Sequence, residues 1–243
     1  SVGIEAASVY FVVTMSGVFI GIGLSVLLFV NIIRTIKNVR DMEQNRQKQE
    51  IEKRRRQAEK MSLQMIQTLA TTIEAKDEYM KGHSYRVAAY AALIAQELGW
   101  DATEISNLKD AVYMYDVGKI GIPDAILNKP TRLTEEEYER VKAHTVIGAD
   151  ILKNITIIDH VAEIARYHHE RYDGHGYPDG LIGEDIPIHA RIVAIADSYD
   201  AMNSRRIYRN SLPQEQIREE ILMNRGKQFD PDIADVFLKL MDE

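Results

Sequence analysis

The 243-residue sequence has no cysteine. That absence excludes disulfides, thiolate metal sites and cysteine nucleophiles, so any metal must be held by imidazole, carboxylate or carbonyl groups. Charge is absent from Ala6 to Ile33, a run of 28 residues, where a bilayer-crossing helix needs only about 20. The run is too long, and too bare of preceding basic residues, for a signal peptide. Glycine and proline are absent from Leu24 to Lys81, so one long helix can continue from that span into the residues beyond it. Strand-like alternation is absent as well, which leaves helix as the dominant element, with a short hairpin around 180–190 left open.

The charges that are present are unevenly placed. Net charge is −7, yet residues 34–60 hold ten Lys/Arg against five Asp/Glu, which leaves −11 for residues 61–243. So acidic a region is unsuited to gripping a nucleic-acid polymer, where basic stripes do most of the binding. Arg34, Lys37 and Arg40 come directly after the apolar run, and the positive-inside rule then puts the remainder in the cytoplasm. Three segments are expected: a transmembrane segment over 1–33, a juxtamembrane helical linker over 34–61 and a helical domain over 62–243. The first residue is Ser1 rather than methionine, so a fragment lacking an extracytoplasmic sensing part is expected. Along the linker, Ile51, Ala58, Met61, Met65, Leu69 and Ile73 recur at spacings compatible with a loose dimeric coiled coil, although a solvated spacer fits equally well.

Helix starts in the domain are marked by side chains able to cap backbone N–H groups. Asp101 with Glu104 and Thr134 with Glu137 have the capping-box pattern, and Asp230-Pro231 joins a cap to a proline in the first turn. Apolar stripes at helical spacing come after these starts, Val87-Ala91-Ile94-Leu98, Ile105-Leu108-Val112-Tyr115 and Val161-Ile164-Ala165-His168 among them. An all-α fold is expected.

Six polar residues fall where core residues belong: His83, Asp116, His144, His168, His169 and Asp197. A lone buried histidine is more often satisfied by a hydrogen bond than by a metal. Six ionisable groups on five helices cost several kcal/mol each unless a shared cation removes the penalty, roughly as for any unpaired buried charge. Four imidazoles and two carboxylates could fill much of two octahedra, with iron, manganese or zinc favoured over copper(I). Two adjacent ions suggest phosphoester hydrolysis. Lys119, three residues past Asp116, can reach the same pocket, and Arg206 and Arg209 could clamp phosphate oxygens. His160, His175 and His189 receive no such role.

With these residues in place, residues 62–243 resemble the HD-GYP branch of the HD phosphohydrolase superfamily. GHSYRV at 82–87, DVGKIGIPD at 116–124, KAHTVIGADIL at 142–152, HHERYDGHGYPDGL at 168–181, RIVAIADSYDAM at 191–202 and GKQFDP at 226–231 match in order and spacing. The resemblance implies a helical bundle around a metal centre with two divalent transition-metal ions, iron or manganese. His83, Asp116, His144, His168, His169 and Asp197 take its ligand places, with Asp116 bridging and serving catalysis together with Lys119. Lys119, Arg206, Arg209 and Tyr177 match substrate contacts, and the substrate implied is cyclic di-GMP, opened to linear pGpG or GMP. Also implied are a homodimer through the stalk helix, a GGDEF-type protein partner and a place at the bacterial inner membrane through residues 6–33. The pattern departs from the family at Tyr115, which stands where the naming histidine is expected and points to a weak first metal site. Tyr79 departs too, standing where some members have a glutamate, and a third ion is not expected. A degenerate domain that binds cyclic di-GMP or a protein without cleaving it is the alternative.

Overall fold

The computed structural model describes residues 2–76, 81–204 and 211–242. These form two compact units, Ser1–Met61 and Ser62–Glu243. In the first, helix α1 (Val2–Glu74) begins, and its apolar stretch reaches a mean hydropathy of 2.3 with none of it buried. It is the one described helix long and apolar enough to cross a membrane. Farther on, its surface carries ion pairs one turn apart, Glu50–Arg54, Glu52–Arg56 and Arg55–Glu59 at 3.2, 3.3 and 2.9 Å. Such exposed pairs add a few tenths of a kcal/mol each, roughly, and keep the helix solvated.

In the second unit the end of α1 turns one face inward, through Ile66, Ala70 and Ile73, while Met65 and Leu69 stay exposed. The expected coiled-coil stripe is thereby split, because Ile73 belongs to the core of the unit and not to the seam that Met65 and Leu69 extend. The helix also stops at Glu74, short of Lys81, with Ala75 and Lys76 in a turn.

After it come α2 (His83–Glu97), α3 (Ala102–Val112), α4 (Asp124–Leu127), α5 (Glu135–Lys142), α6 (His144–Leu152), α7 (Val161–Tyr167), α8 (Ile188–Asn203), α9 (Gln214–Met223) and α10 (Pro231–Met241). Among the described residues there are no strands. Where the sequence leaves a hairpin open, a single antiparallel bridge joins Asp173 to Ile182 and a 3-10 turn succeeds it at Gly183–Asp185. The capping boxes form at Asp101 and Thr134, and Asp230 caps α10 ahead of Pro231. One core, with Ile94, Leu108, Ile164, Ile192 and Ile195 at its fully buried centre, joins α2, α3, α7 and α8.

Two side chains near the end of α1 set the scaffold of the site. The Glu74 carboxylate accepts from the backbone N–H groups of Gly82 at 2.7 Å and Ser84 at 2.8 Å, satisfying the open first turn of α2 where His83 stands. The Lys76 ammonium donates to the carbonyls of Ile120 at 3.0 Å and Ile122 at 3.1 Å. It thereby pins the 3-10 turn Val117–Gly121, which carries Lys119.

Candidate metal centre

At one end of a cavity four side chains converge. Gly118 makes this possible, since a Cβ there would lie 1.8 Å from the carbonyl oxygen of His144 and 2.5 Å from the nitrogen of Gly148. Only glycine lets the turn after Asp116 touch α6 this closely. The carboxylate oxygen Oδ1 of Asp116 then sits 3.4 Å from His144 Nε2 and 3.8 Å from His168 Nε2. The ring of His169 joins them, with ligand atoms of the three histidines all within 4.8 Å of one another.

Proton placement decides the chemistry of this group. His144 Nδ1 lies 2.6 Å from the Val141 carbonyl, and His168 Nδ1 lies 3.0 Å from the carbonyls of Ile164 and Ala165. Carbonyls only accept, so each Nδ1 carries the ring proton and each Nε2 presents a bare lone pair. The two Nε2 atoms face each other at 3.3 Å. Burial pushes His144 down to about 4 against the pull of Asp116, and it pushes His168 and His169 down as well. Burial would raise Asp116, but Lys119, His144 and His168 outweigh it and hold the carboxyl well below the usual range. Asp116 Oδ1 is buried with no hydrogen-bond partner, while Oδ2 accepts from Lys119 Nζ at 2.6 Å. Bare nitrogens and an orphaned carboxylate oxygen aimed at one point fit a divalent cation and little else.

Beside it, with the Tyr115 ring 4.8 Å from that of His168, the other end of the cluster is built differently. His83, Tyr115 and Asp197 form a triangle: His83 Nε2 to Tyr115 hydroxyl 2.8 Å, Tyr115 hydroxyl to Asp197 Oδ1 2.8 Å, His83 Nε2 to Asp197 Oδ1 2.9 Å. His83 Nδ1 reaches Asp200 Oδ2 at 2.7 Å, and Asp200 is gripped in turn by Arg86 through Nε at 2.7 Å and a second nitrogen at 3.0 Å. Burial alone would lower His83, but hydrogen bonds to Asp197 and Asp200 lift it to about 9, whereas burial drives the Tyr115 phenol well above its ordinary value. The Nδ1–Asp200 bond would serve a metal-ligating histidine equally well, but the Tyr115 hydroxyl stands directly between the inward atoms His83 Nε2 and Asp197 Oδ1 and shares protons with both. This donor set does not fit a divalent ion.

The cavity, of about 590 Å³, is lined by residues of both groups and by Lys119, Lys129, Tyr138, His175, Tyr177 and Gln228. That volume suits a small molecule. The Tyr177 ring packs on His169 at 4.8 Å, and Lys142 Nζ lies 4.9 Å from the Tyr138 ring centre and 5.5 Å from that of Tyr177. Buried Glu170 holds the glycine-rich loop by accepting from the N–H groups of Asp179, Gly180 and Leu181 at 2.7, 3.0 and 3.1 Å.

The six inward residues expected from the sequence all line this cavity, with Lys119 and Tyr177. Not all are on helices. Asp116 begins a 3-10 turn after α3 has ended at Val112, and His168 and His169 lie just past the end of α7, so these three gain their positions from turns. His175, given no role, lines the cavity with an exposed side chain, while His160 and His189 stack on each other at 4.0 Å away from it. Arg206, Arg209 and Tyr79 lie outside the described residues. The sequence reading missed Asp200, Arg86 and Glu170. The first two leave only a faint signal, each three residues past a candidate ligand and therefore on its face of the helix.

A family model described as HD domain matches residues 67–233. A cyclic di-GMP phosphodiesterase of Thermotoga maritima is 44% identical over 182 residues, covering 74% of this chain and 50% of that protein. A 3'3'-cGAMP-specific phosphodiesterase 2 of Vibrio cholerae is 39% identical over 184 residues, covering 75% and 35%. The chain thus spans half or less of the length of these relatives. Among solved structures, a cyclic GMP-AMP specific phosphodiesterase of V. cholerae superposes with a TM-score of 0.58 at 20% identity, covering 74% of this chain and 49% of that one. The L. monocytogenes phosphodiesterase PgpH HD domain, in complex with cyclic-di-AMP, gives 0.53 at 21%, covering 72% and 93%. At that identity the superpositions show a shared fold.

Proposed function

The chain belongs to the HD domain family, and from that premise we propose that it is a metal-dependent phosphodiesterase opening a cyclic dinucleotide, cyclic di-GMP, to linear pGpG or GMP. The observation that carries this reading is the pair of bare Nε2 atoms on His144 and His168 beside the orphaned Asp116 oxygen. A divalent ion held there by His144, His168, His169 and Asp116, iron or manganese as the family resemblance implies, would acidify a water and neutralise phosphoryl charge. In the reaction a water oxygen bonds to phosphorus, the bond to the 3' oxygen breaks, and that oxygen leaves as a hydroxyl. Lys119, pinned to Asp116 Oδ2, holds an ammonium beside the point where the phosphate must rest. Tyr177 and Tyr138 offer ring faces for a base farther along the cavity.

The Tyr115 triangle favours a second reading, a receptor that binds the dinucleotide without cleaving it. Residues 6–33 are proposed as the membrane anchor, with the Ser62–Glu243 unit cytoplasmic, and exposed Met61, Met65 and Leu69 as part of a dimer seam. The test is chromatography of cyclic di-GMP and 3'3'-cGAMP incubated with the detergent-solubilised chain and Mn(II) or Fe(II). Linear product that chelator abolishes and metal restores supports the enzyme. Binding without product supports the receptor, and neither binding nor product discards both.

A further inference from the structure

We infer that the Tyr115 hydroxyl takes the place of a first metal ion, so that the chain holds a single ion, at the His144, His168, His169 and Asp116 end. The inference rests on the metal-dependent reading above and deepens it.

Reach is the first argument. A tyrosine hydroxyl extends about 2 Å farther from its Cα than an imidazole Nε2 does, roughly the length of one metal–nitrogen bond. A phenol in the place of a ligating histidine therefore delivers its oxygen to where the ion would be, not to where the ligand atom would be. The Tyr115 oxygen is found at that kind of position, 2.8 Å from both His83 Nε2 and Asp197 Oδ1. Those are hydrogen-bond lengths, well beyond the roughly 2.0–2.2 Å of coordination bonds.

The ring cannot step aside. Tyr115 is fully buried, and its ring meets the edge of His168 at 4.8 Å, so moving the hydroxyl out of the triangle opens a hole in the core. Asp200, held by Arg86, fixes the His83 ring through Nδ1 at 2.7 Å, so Nε2 keeps facing the Tyr115 hydroxyl.

Asp116 supplies an independent argument. A carboxylate bridging two ions gives one oxygen to each. Here only Oδ1 lacks a partner, and Oδ2 is bonded to Lys119 Nζ at 2.6 Å. The orphaned oxygen faces His144 and His168.

The full chain in detergent, stripped by chelator and reloaded anaerobically with Mn(II) alone, tests this by elemental analysis and electron paramagnetic resonance. One manganese per chain with the hyperfine-split signal of an isolated ion is expected. Tyr115→His should raise the content to two per chain with a spin-coupled signal, and Tyr115→Phe should leave it at one. Two ions in the native chain overturn the inference, as does Tyr115→His remaining at one, and the native spectrum decides if that variant does not fold. A native chain that binds no manganese removes the metal-dependent reading itself, a result distinct from binding two.

Discussion

The two ends of this side-chain cluster use similar residues to opposite effect. At one, His83, Tyr115, Asp197 and Asp200 share protons so completely that nothing remains to be bound. At the other, His144, His168 and Asp116 have their protons drawn off toward backbone carbonyls, or none at all, and three lone pairs are left facing inward. The same amino-acid types thus make a structural lock or a binding site, depending on what stands in front of each ring. A carbonyl or a carboxylate behind an imidazole fixes its proton alike, but the Tyr115 hydroxyl fills the space before His83 Nε2, whereas among the described residues no donor faces the Nε2 atoms of His144 and His168.

The sharpest way to break this contrast is to delete a ring at the open end. His168→Ala should abolish metal retention and lower turnover by at least about 100-fold, since even partners one step removed from a metal cost 10- to 100-fold. Metal content after gel filtration, together with product formation, checks it, and full retention would mean that the open end is not the site. At the closed end the effect should fall on stability. Asp200→Asn replaces an acceptor oxygen with an NH2 donor that faces the N–H groups of His83 and Arg86, and should lower the unfolding free energy by about 2 kcal/mol without changing metal content. Urea titration measures it, and a loss of metal would show that the two ends are not separable.

The smallest effect comes from a pair that serves as control. His189 stacks on His160 at 4.0 Å, and burial, aided by that neighbour, lowers it to about 4. Its folded-state value lies below its unfolded one, so its contribution is present above about pH 6.5 and is lost as pH falls through about 4. Because His144 titrates in the same window, the quantity to compare is the part of the acid sensitivity that His189→Phe removes, which should be the same with and without metal. Thermal melts across the window decide it, and dependence on metal would tie His189 to the centre.

Much of this is written into local sequence, and the exceptions share a cause. Asp101, Thr134 and Asp230 act as caps because capping needs only the next few residues, and they cap as expected. His144 reads as inward from its spacing to Val141 and Ile151, and it is buried although Ile151 itself proves exposed. What the sequence hides depends on distant partners. Asp200 looks like an ordinary helical acid until Arg86, 114 residues earlier, is brought to it. Glu170 gives no hint that it caps a loop nine to eleven residues later. Gly118 reads as a turn residue, and its contact with the backbone of α6 emerges only when the two segments meet. Tyr115 is legible as a departure from the pattern, but its hydrogen-bonded triangle is not.

The central claim, that bare imidazole nitrogens and an orphaned carboxylate oxygen create one cation site, has a direct test. Crystals of the chain soaked with Mn(II), with data collected near the manganese edge, should show one anomalous peak within bonding distance of His144 Nε2, His168 Nε2 and Asp116 Oδ1. A peak seated instead between His83 and Asp197, or no peak at all, contradicts the account.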